Sequence, residues 1–284
     1  MRSTALPAFT APRKTVATVI TYLVLTVIGL LFLAPLVWLV LASLNGQATL
    51  SASVPHPFTL SNFSQVLSGN ATLQPLLNGL ILSGGSAIVT MIAAALAAYP
   101  LSRYQSRFKR PFLYIILFAT GLPITAIMVP VYAVFVQLSL LDSMAATTLF
   151  LSVTTMPIAI WLMKNFMDGV PIGLEEAAWT DGASAMQALR RIVVPLTLPG
   201  AAVVGIFTFI NAWGNFFVPF ILLTSPDKMP ASVTIYQFFS QYGEVAYGPL
   251  AAYSIIFTVP VIVLYILVQR TLGGAFNLAG ATKG

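Results

Sequence analysis

Residues 174–200 read LEEAAWTDGASAMQALRRIVVPLTLPG (Leu174–Gly200), a polar island between two long apolar runs. Four of the seven acidic residues, Asp168, Glu175, Glu176 and Asp181, gather in or just before it, beside Lys164, Arg190 and Arg191. A segment that only joins two membrane spans needs a few residues, and this one is patterned as helix. Pro171 and Gly173 punctuate its start, and Glu175 and Glu176 fall in a first turn, where carboxylates favour the positive end of the helix dipole. Ala177 and Ala178 are strong helix formers without bulk, so a partner surface can approach the backbone closely. Gly182 can take the left-handed conformation that ends a helix. Ser184 and Gln187 have capping-box spacing for a second helix through Met186, Leu189 and Ile192, and Pro195 and Pro199 mark the return to apolar sequence.

What flanks the island decides the fold class. Of 284 residues, 58% are hydrophobic and 7% charged, against about a quarter charged in an ordinary soluble domain. A water-soluble fold is excluded, and the continuous apolar runs select helices over alternating barrel strands. A bilayer needs roughly 20 apolar residues per helix, and six segments qualify, at 16–43, 75–101, 111–137, 145–166, 196–223 and 249–268. The first run exceeds the roughly 7–15 apolar residues of a signal peptide, so it reads as a retained span. With no cysteine, disulfides, thiolate metal sites and cysteine nucleophiles are excluded.

Basic residues alternate with the loops. Arg2, Arg13 and Lys14 precede the first span; Arg103, Arg107, Lys109 and Arg110 separate the second and third; Lys164, Arg190 and Arg191 fall between the fourth and fifth; Arg270 and Lys283 follow the sixth. The other loops are poor in positive charge, with only Lys228 in 224–248. The positive-inside rule puts both termini and the island in the cytoplasm. The net charge of +6 is thus topological and implies no nucleic acid. Prolines 35, 100, 123, 130, 157, 219 and 260 lie in or at the ends of spans. They read either as hinges or as the ordinary tolerance of membrane helices for proline.

An amphipathic pair resting on lipid would want a Lys/Arg-rich polar face. The first island helix is instead acidic and small-sided, which fits a protein groove. At this point a resemblance enters. Glu176-Ala177-Ala178, Gly182, Ile192 and Pro195 have the spacing of the EAA loop of ABC-importer permeases, with Val194 where the family usually has Leu. Asp181-Gly182-Ala183-Ser184 is similar to the form found in carbohydrate importers. So are Tyr99-Pro-Leu-Ser-Arg103, Ile206–Trp213 and Gly280–Gly284. The chain resembles the smaller permease subunits of maltose-type systems.

That resemblance implies an all-α integral membrane protein with the type I ABC importer permease fold: six transmembrane helices and a cytoplasmic coupling helix between helices 4 and 5. It implies cytoplasmic tails at 1–15 and 271–284 around a single domain at 16–270, with the EAA loop at 167–195. The coupling residues are expected to be Glu175, Glu176, Ala177, Ala178, Asp181, Gly182, Ala183, Ile192 and Pro195. Glu176 is expected to meet a basic group on the ATPase. The chain has no Walker A sequence, so it is expected to be non-catalytic and to bind no cofactor or metal, with ATP and Mg used by the partner. Expected partners are a second homologous permease subunit, an ABC ATPase dimer, an extracytoplasmic substrate-binding protein and membrane lipid. The site is a prokaryotic cytoplasmic membrane.

For cargo, polar amides and aromatic rings at pathway depth are the candidates: Asn78, Trp161, Asn211, Trp213 and Asn215. Inter-helix packing is the competing reading for Asn211-Ala-Trp213-Gly-Asn215. Tyr236, Gln237, Gln241 and Tyr242 in the outer loop are candidates for meeting the binding protein. A sugar or sugar derivative is expected, with a peptide or amino-acid ABC permease as the alternative. An ion-coupled transporter is less favoured, because the spans carry no evident interior carboxylate. His56, the one histidine, lies in an outer loop and offers no catalytic constellation.

Overall fold

The structure, a computed structural model, describes residues 12–68, 70–239 and 245–281. No multi-residue strand occurs among the described residues. Long apolar helices dominate: α1 (Pro12–Ser43), α3 (Asn70–Arg103), α6 (Met144–Asp168), α9 (Val194–Trp213) and α12 (Tyr247–Ala281). Shorter ones are α2 (Ser61–Ser68), α4 (Lys109–Ala119), α5 (Ile124–Gln137), α7 (Ile172–Thr180), α8 (Ala185–Ala188), α10 (Phe217–Leu222) and α11 (Ala231–Thr234). Five stretches are long and apolar enough to cross a membrane: Thr18–Ser43, Thr72–Arg103, Met144–Asp168, Ala185–Trp213 and Tyr247–Arg270. The pair α4–α5, bent by 95°, makes a sixth if it is one span.

The bend falls inside the 111–137 segment, at Pro123, one of the prolines read as either hinge or tolerated residue. Pro123 lacks an N–H and disfavours helical backbone at Leu122. The chain stops at Thr120, whose N–H and Oγ1 both donate to Leu117 O (3.1 and 2.7 Å), and restarts after an extended Pro123 (ψ 128°). Pro35, Pro75, Pro100, Pro130, Pro157, Pro199 and Pro260 sit inside continuing helices. A difference from the expected spans lies at 196–223. The fifth span begins earlier, because α8 runs through a π-helical turn at Leu189–Val193 directly into α9. Pro195 cannot donate to the preceding turn, and the widened turn carries the helix past it without a break. It also ends earlier, at Gly214, where the Asn215 side chain accepts from Val218 N (3.0 Å) and starts α10. A second difference is that α12 continues to Ala281 through the expected tail. Residues 1–11 and 282–284 lie outside the described residues, as do Gln241 and Tyr242.

The chain divides into two compact units, residues 1–65 with 240–255 and residues 66–239 with 256–284. In the first, Asn62 Nδ2 donates to Ser43 O (2.9 Å) and Asn45 O (3.0 Å), occupying carbonyls that the end of α1 leaves open. In the second, α3, α6 and α9 pack on one another. Their contacts use small residues, Ala94, Ala98 and Ala159, which let backbones approach in a medium where packing drives association. Hydroxyls bond across: Ser86 Oγ donates to Thr148 O (3.1 Å) and Thr90 Oγ1 to Ser152 O (3.2 Å). Each such bond contributes about 0.6 kcal/mol in a membrane bundle. The tightest approach is at Gly200 of α9, where an added Cβ would lie 2.3–2.6 Å from Phe166 of α6.

At the α6 N-terminus a clasp closes the other end of this unit. Asp142 (φ 61°) accepts from Thr224 N (3.0 Å), Ser225 N (2.9 Å), Ser225 Oγ (2.6 Å) and Lys228 Nζ (2.7 Å). The Lys228 ammonium, then the Ser225 hydroxyl, hold its carboxyl well below the usual carboxylate range.

Candidate functional site

The polar island forms a helix–turn–helix. Ser184 caps α8 with both halves of a capping box: its Oγ accepts from Gln187 N (3.3 Å), and its own N–H donates to Gln187 Oε1 (2.8 Å). Gly182 has φ +88° with open space around its Cα, so backbone conformation selects glycine there.

The two adjacent glutamates of α7 part company. Successive helical side chains point about 100° apart, and here Glu175 faces inward while Glu176 is exposed. Glu175 is 1% exposed and forms a short ion pair with Arg103 Nε at the end of α3; Tyr99 OH donates to its other oxygen at 3.0 Å. Arg103 Nη1 also donates to Met167 O (3.1 Å) and Ser102 Oγ (3.2 Å), and Ser102 Oγ donates to Asp168 Oδ1 (2.6 Å). Lys164 pairs with Asp168 one turn along α6. Three helix ends are therefore tied together through one buried guanidinium. Its Nη2 has no partner, which makes the charge depend heavily on Glu175. Glu175 is thus an anchor inside the chain rather than part of the open face.

That open face carries Leu174, Glu176, Ala177 and Trp179 of α7, then Asp181 and Gly182; Ala178 and Ala183 are half-buried. Farther along, Ile192 is half-buried and Pro195 exposed. Sequence reasoning placed Arg103 among the topology-setting charges and in the resembling stretch, without a role. The usable signal was its position beside Tyr99 and Ser102 at the close of an apolar run, polar groups with nothing nearby in sequence to bond.

The five pathway candidates separate. Trp213 is 4% exposed, stacks on Phe209 and Phe257 (centroids 5.8 and 4.9 Å) and donates Nε1–H to Phe257 O at 3.1 Å. Asn78 is buried and donates to Asp227 O (2.7 Å) and Met229 O (3.1 Å), fastening the outer loop. Both side chains are committed to packing. Trp161 is exposed on α6 and is not among the residues lining the hollow that holds Asn211 and Asn215. Asn211 and Asn215 do come together. They line a hollow of about 450 Å³ between the α4–α5 bend, α6 and the end of α9, with Thr120, Thr154 and Thr155. Asn211 Nδ2 donates back to Phe207 O (2.8 Å), which leaves the amide's own oxygen as an acceptor. The hollow owes its shape to the α4–α5 bend, which sequence reasoning did not foresee. Among the described residues no cluster of His, Cys, Asp or Glu could hold a metal ion.

Apolar helices of this length, with a polar helical hairpin between two of them, define a multi-span membrane protein among the described residues. Residues 90–272 match the family described as binding-protein-dependent transport system inner membrane component, and the chain belongs to that family. It is similar to the sulfoquinovosyl glycerol transport system permease protein SmoH of Agrobacterium fabrum (30% identical, covering 89% of each chain). It is also similar to the trehalose transport system permease protein SugB of Mycobacterium tuberculosis (29% identical, covering 89% of this chain and 93% of that one). Its fold matches a chain of a bacterial ABC transporter involved in import of the acidic polysaccharide alginate. The TM-score is 0.79 at 22% identity, over 93% of this chain and 99% of that chain. The protein is therefore a membrane permease subunit of an ABC importer.

Proposed function

We propose that this chain forms half of the translocation pathway of an ATP-driven importer for a sugar or sugar derivative. It works beside a second, homologous permease subunit in a prokaryotic cytoplasmic membrane, with both termini and the α7–α8 hairpin in the cytoplasm. A cytoplasmic ATPase dimer hydrolyses ATP with Mg, and an extracytoplasmic binding protein delivers cargo. This chain binds no cofactor, and 16–270 acts as one permease domain. The sugar assignment draws on the relatives named for sulfoquinovosyl glycerol and trehalose transport.

The observation that carries the coupling reading is the division of labour on α7. Glu175 is sequestered by Arg103, while Glu176, Ala177 and the Gly182 turn stand open. A helix fixed to α3 on one side and bare on the other suits an element that receives a push and passes it on. Glu176 supplies charge to a basic group of the ATPase, the alanines allow close approach, and Gly182 turns the chain. Asn211 and Asn215, with the threonines of the hollow, offer hydroxyl-compatible hydrogen bonding to a sugar; Asn78 and Trp213 serve it indirectly by fastening the helices and loop around it, and Trp161 lies outside that lining.

Glu176→Lys is expected to insert and fold normally while losing ATPase association, measured by co-purification of the ATPase from membranes. Gly182→Pro is expected to act the same way by changing the turn. Undiminished co-purification with both variants overturns the docking role. For cargo, ATPase stimulation by the cognate binding protein loaded with sugar is expected; stimulation only by an amino-acid or peptide binder overturns the sugar reading.

A further inference from the structure

We propose that the α3–α4 corner is a binding site for an anionic phospholipid, with the phosphodiester in a basic hollow and an acyl chain in the apolar groove beside it. The basic hollow, about 620 Å³, is lined by Arg107, Lys109, Arg110 and Lys164 and by no carboxylate. Lys164 is answered by Asp168, but Arg107, Lys109 and Arg110 form no salt bridge among the described residues. Asp168, paired with Lys164, also lies within electrostatic reach of Lys109, but one carboxylate against four cations leaves the corner with a positive excess that an arriving anion offsets.

What selects a lipid over a free anion is the neighbouring groove. It holds about 400 Å³ and is walled by Ala97, Leu101, Tyr104, Phe108 and Phe112. Ser106 and Lys109 line both hollows, so the two are neighbours across those residues. Arg107 lies over the Phe108 ring at 5.0 Å, holding charge and apolar wall in register. Phe108 and Tyr104 are 66% and 62% exposed, so the wall is uncovered by the chain itself. A phosphate-sized anion uses only the first hollow; a soluble acidic peptide leaves the apolar groove bare. A phospholipid with a net negative headgroup fills both. Basic pockets between membrane helices at the cytoplasmic side commonly hold such headgroups. The corner belongs to the side read above as cytoplasmic, but lipid binding needs neither an ATPase nor a cargo.

The test is native mass spectrometry of the purified full chain in detergent, titrated with phosphatidylglycerol or phosphatidylcholine of identical acyl chains. Phosphatidylglycerol is expected to bind preferentially. Arg107→Gln with Lys109→Gln and Arg110→Gln is expected to weaken it at least about tenfold, since each basic residue contributes on the order of fivefold near an anionic surface. Ala97→Trp, which fills the groove and keeps every charge, is expected to weaken phosphatidylglycerol as well. Equal binding of the two lipids to the wild type overturns the proposal. Displacement of phosphatidylglycerol by an equal concentration of inorganic phosphate also overturns it, by identifying a free-anion site. Unchanged phosphatidylglycerol binding in both variants does the same. ATPase co-purification, measured on the same preparations, reports separately on the coupling reading.

Discussion

Two carboxylates, Glu175 and Asp142, mark opposite ends of α6, a helix about 37 Å long at 1.5 Å per residue. Each ties a turn to a neighbouring element through a cation, yet their surroundings differ. Glu175 and Arg103 are 1% and 7% exposed, whereas Asp142 and Lys228 are 21% and 39% exposed. Burial makes the first pair brittle, because losing either member strands the other charge away from water. Asp142 instead shares its load among two backbone N–H groups, a hydroxyl and an ammonium, all near solvent. One end of the unit is held by a network centred on a buried ion pair, the other by a carboxylate with several donors near solvent.

The strongest way to break the comparison is at Glu175. Glu175→Ala is expected to destabilise the protein by about 3–5 kcal/mol by leaving Arg103 buried and unpaired, read as a lower Tm in detergent. Glu175→Gln with Arg103→Gln together is expected to recover much of that loss, as removing both charges removes the stranded one. A double variant no better than Glu175→Ala overturns the ion-pair account. Next in size is Asp142→Asn, expected to lower Tm less than Glu175→Ala because the backbone donors keep an oxygen acceptor.

The pH dependence sharpens the contrast. The folded Asp142 carboxyl titrates below its unfolded value, so its contribution is complete above the ordinary carboxylate pKa of about 4. It is lost as pH falls below that toward the lowered folded value. The Tm difference between wild type and Asp142→Asn is therefore expected to stay constant from neutral pH to about 5 and shrink below about 4. A difference that already shrinks between pH 7 and 5 removes Asp142 as its source. The smallest effect belongs to Glu176→Gln, expected to change stability by no more than about 0.5 kcal/mol, as surface changes do, and so to leave Tm near the wild-type value. A large shift there places Glu176 in the folded core rather than on the open face of α7.

Local chemistry in the sequence was readable where the determinants are local. Gly182 reads as a left-handed turn and has φ +88°, and Ser184–Gln187 reads as a capping box and forms one. The apolar runs locate the long helices because a bilayer constrains length directly. The parting of Glu175 from Glu176 was invisible, since it is decided by an arginine 72 positions away. The α4–α5 bend was equally hidden: Pro123 carries the same local signal as Pro130, yet one breaks a helix and the other rides inside it. Trp213 and Asn78 offered the residue types of a sugar site, but their partners Phe257, Asp227 and Met229 come from distant segments.

Gly200 has a further consequence. Phe166 rests against a bare Cα, so α6 and α9 meet there with no side chain between them on the α9 side. Sliding or parting the two would open a void that nothing nearby is shaped to fill, and close-packed interiors resist such voids. The hairpin of α7 and α8 is strung between exactly these helices, leaving α6 and feeding α9, so both its ends are bolted to one stiff frame.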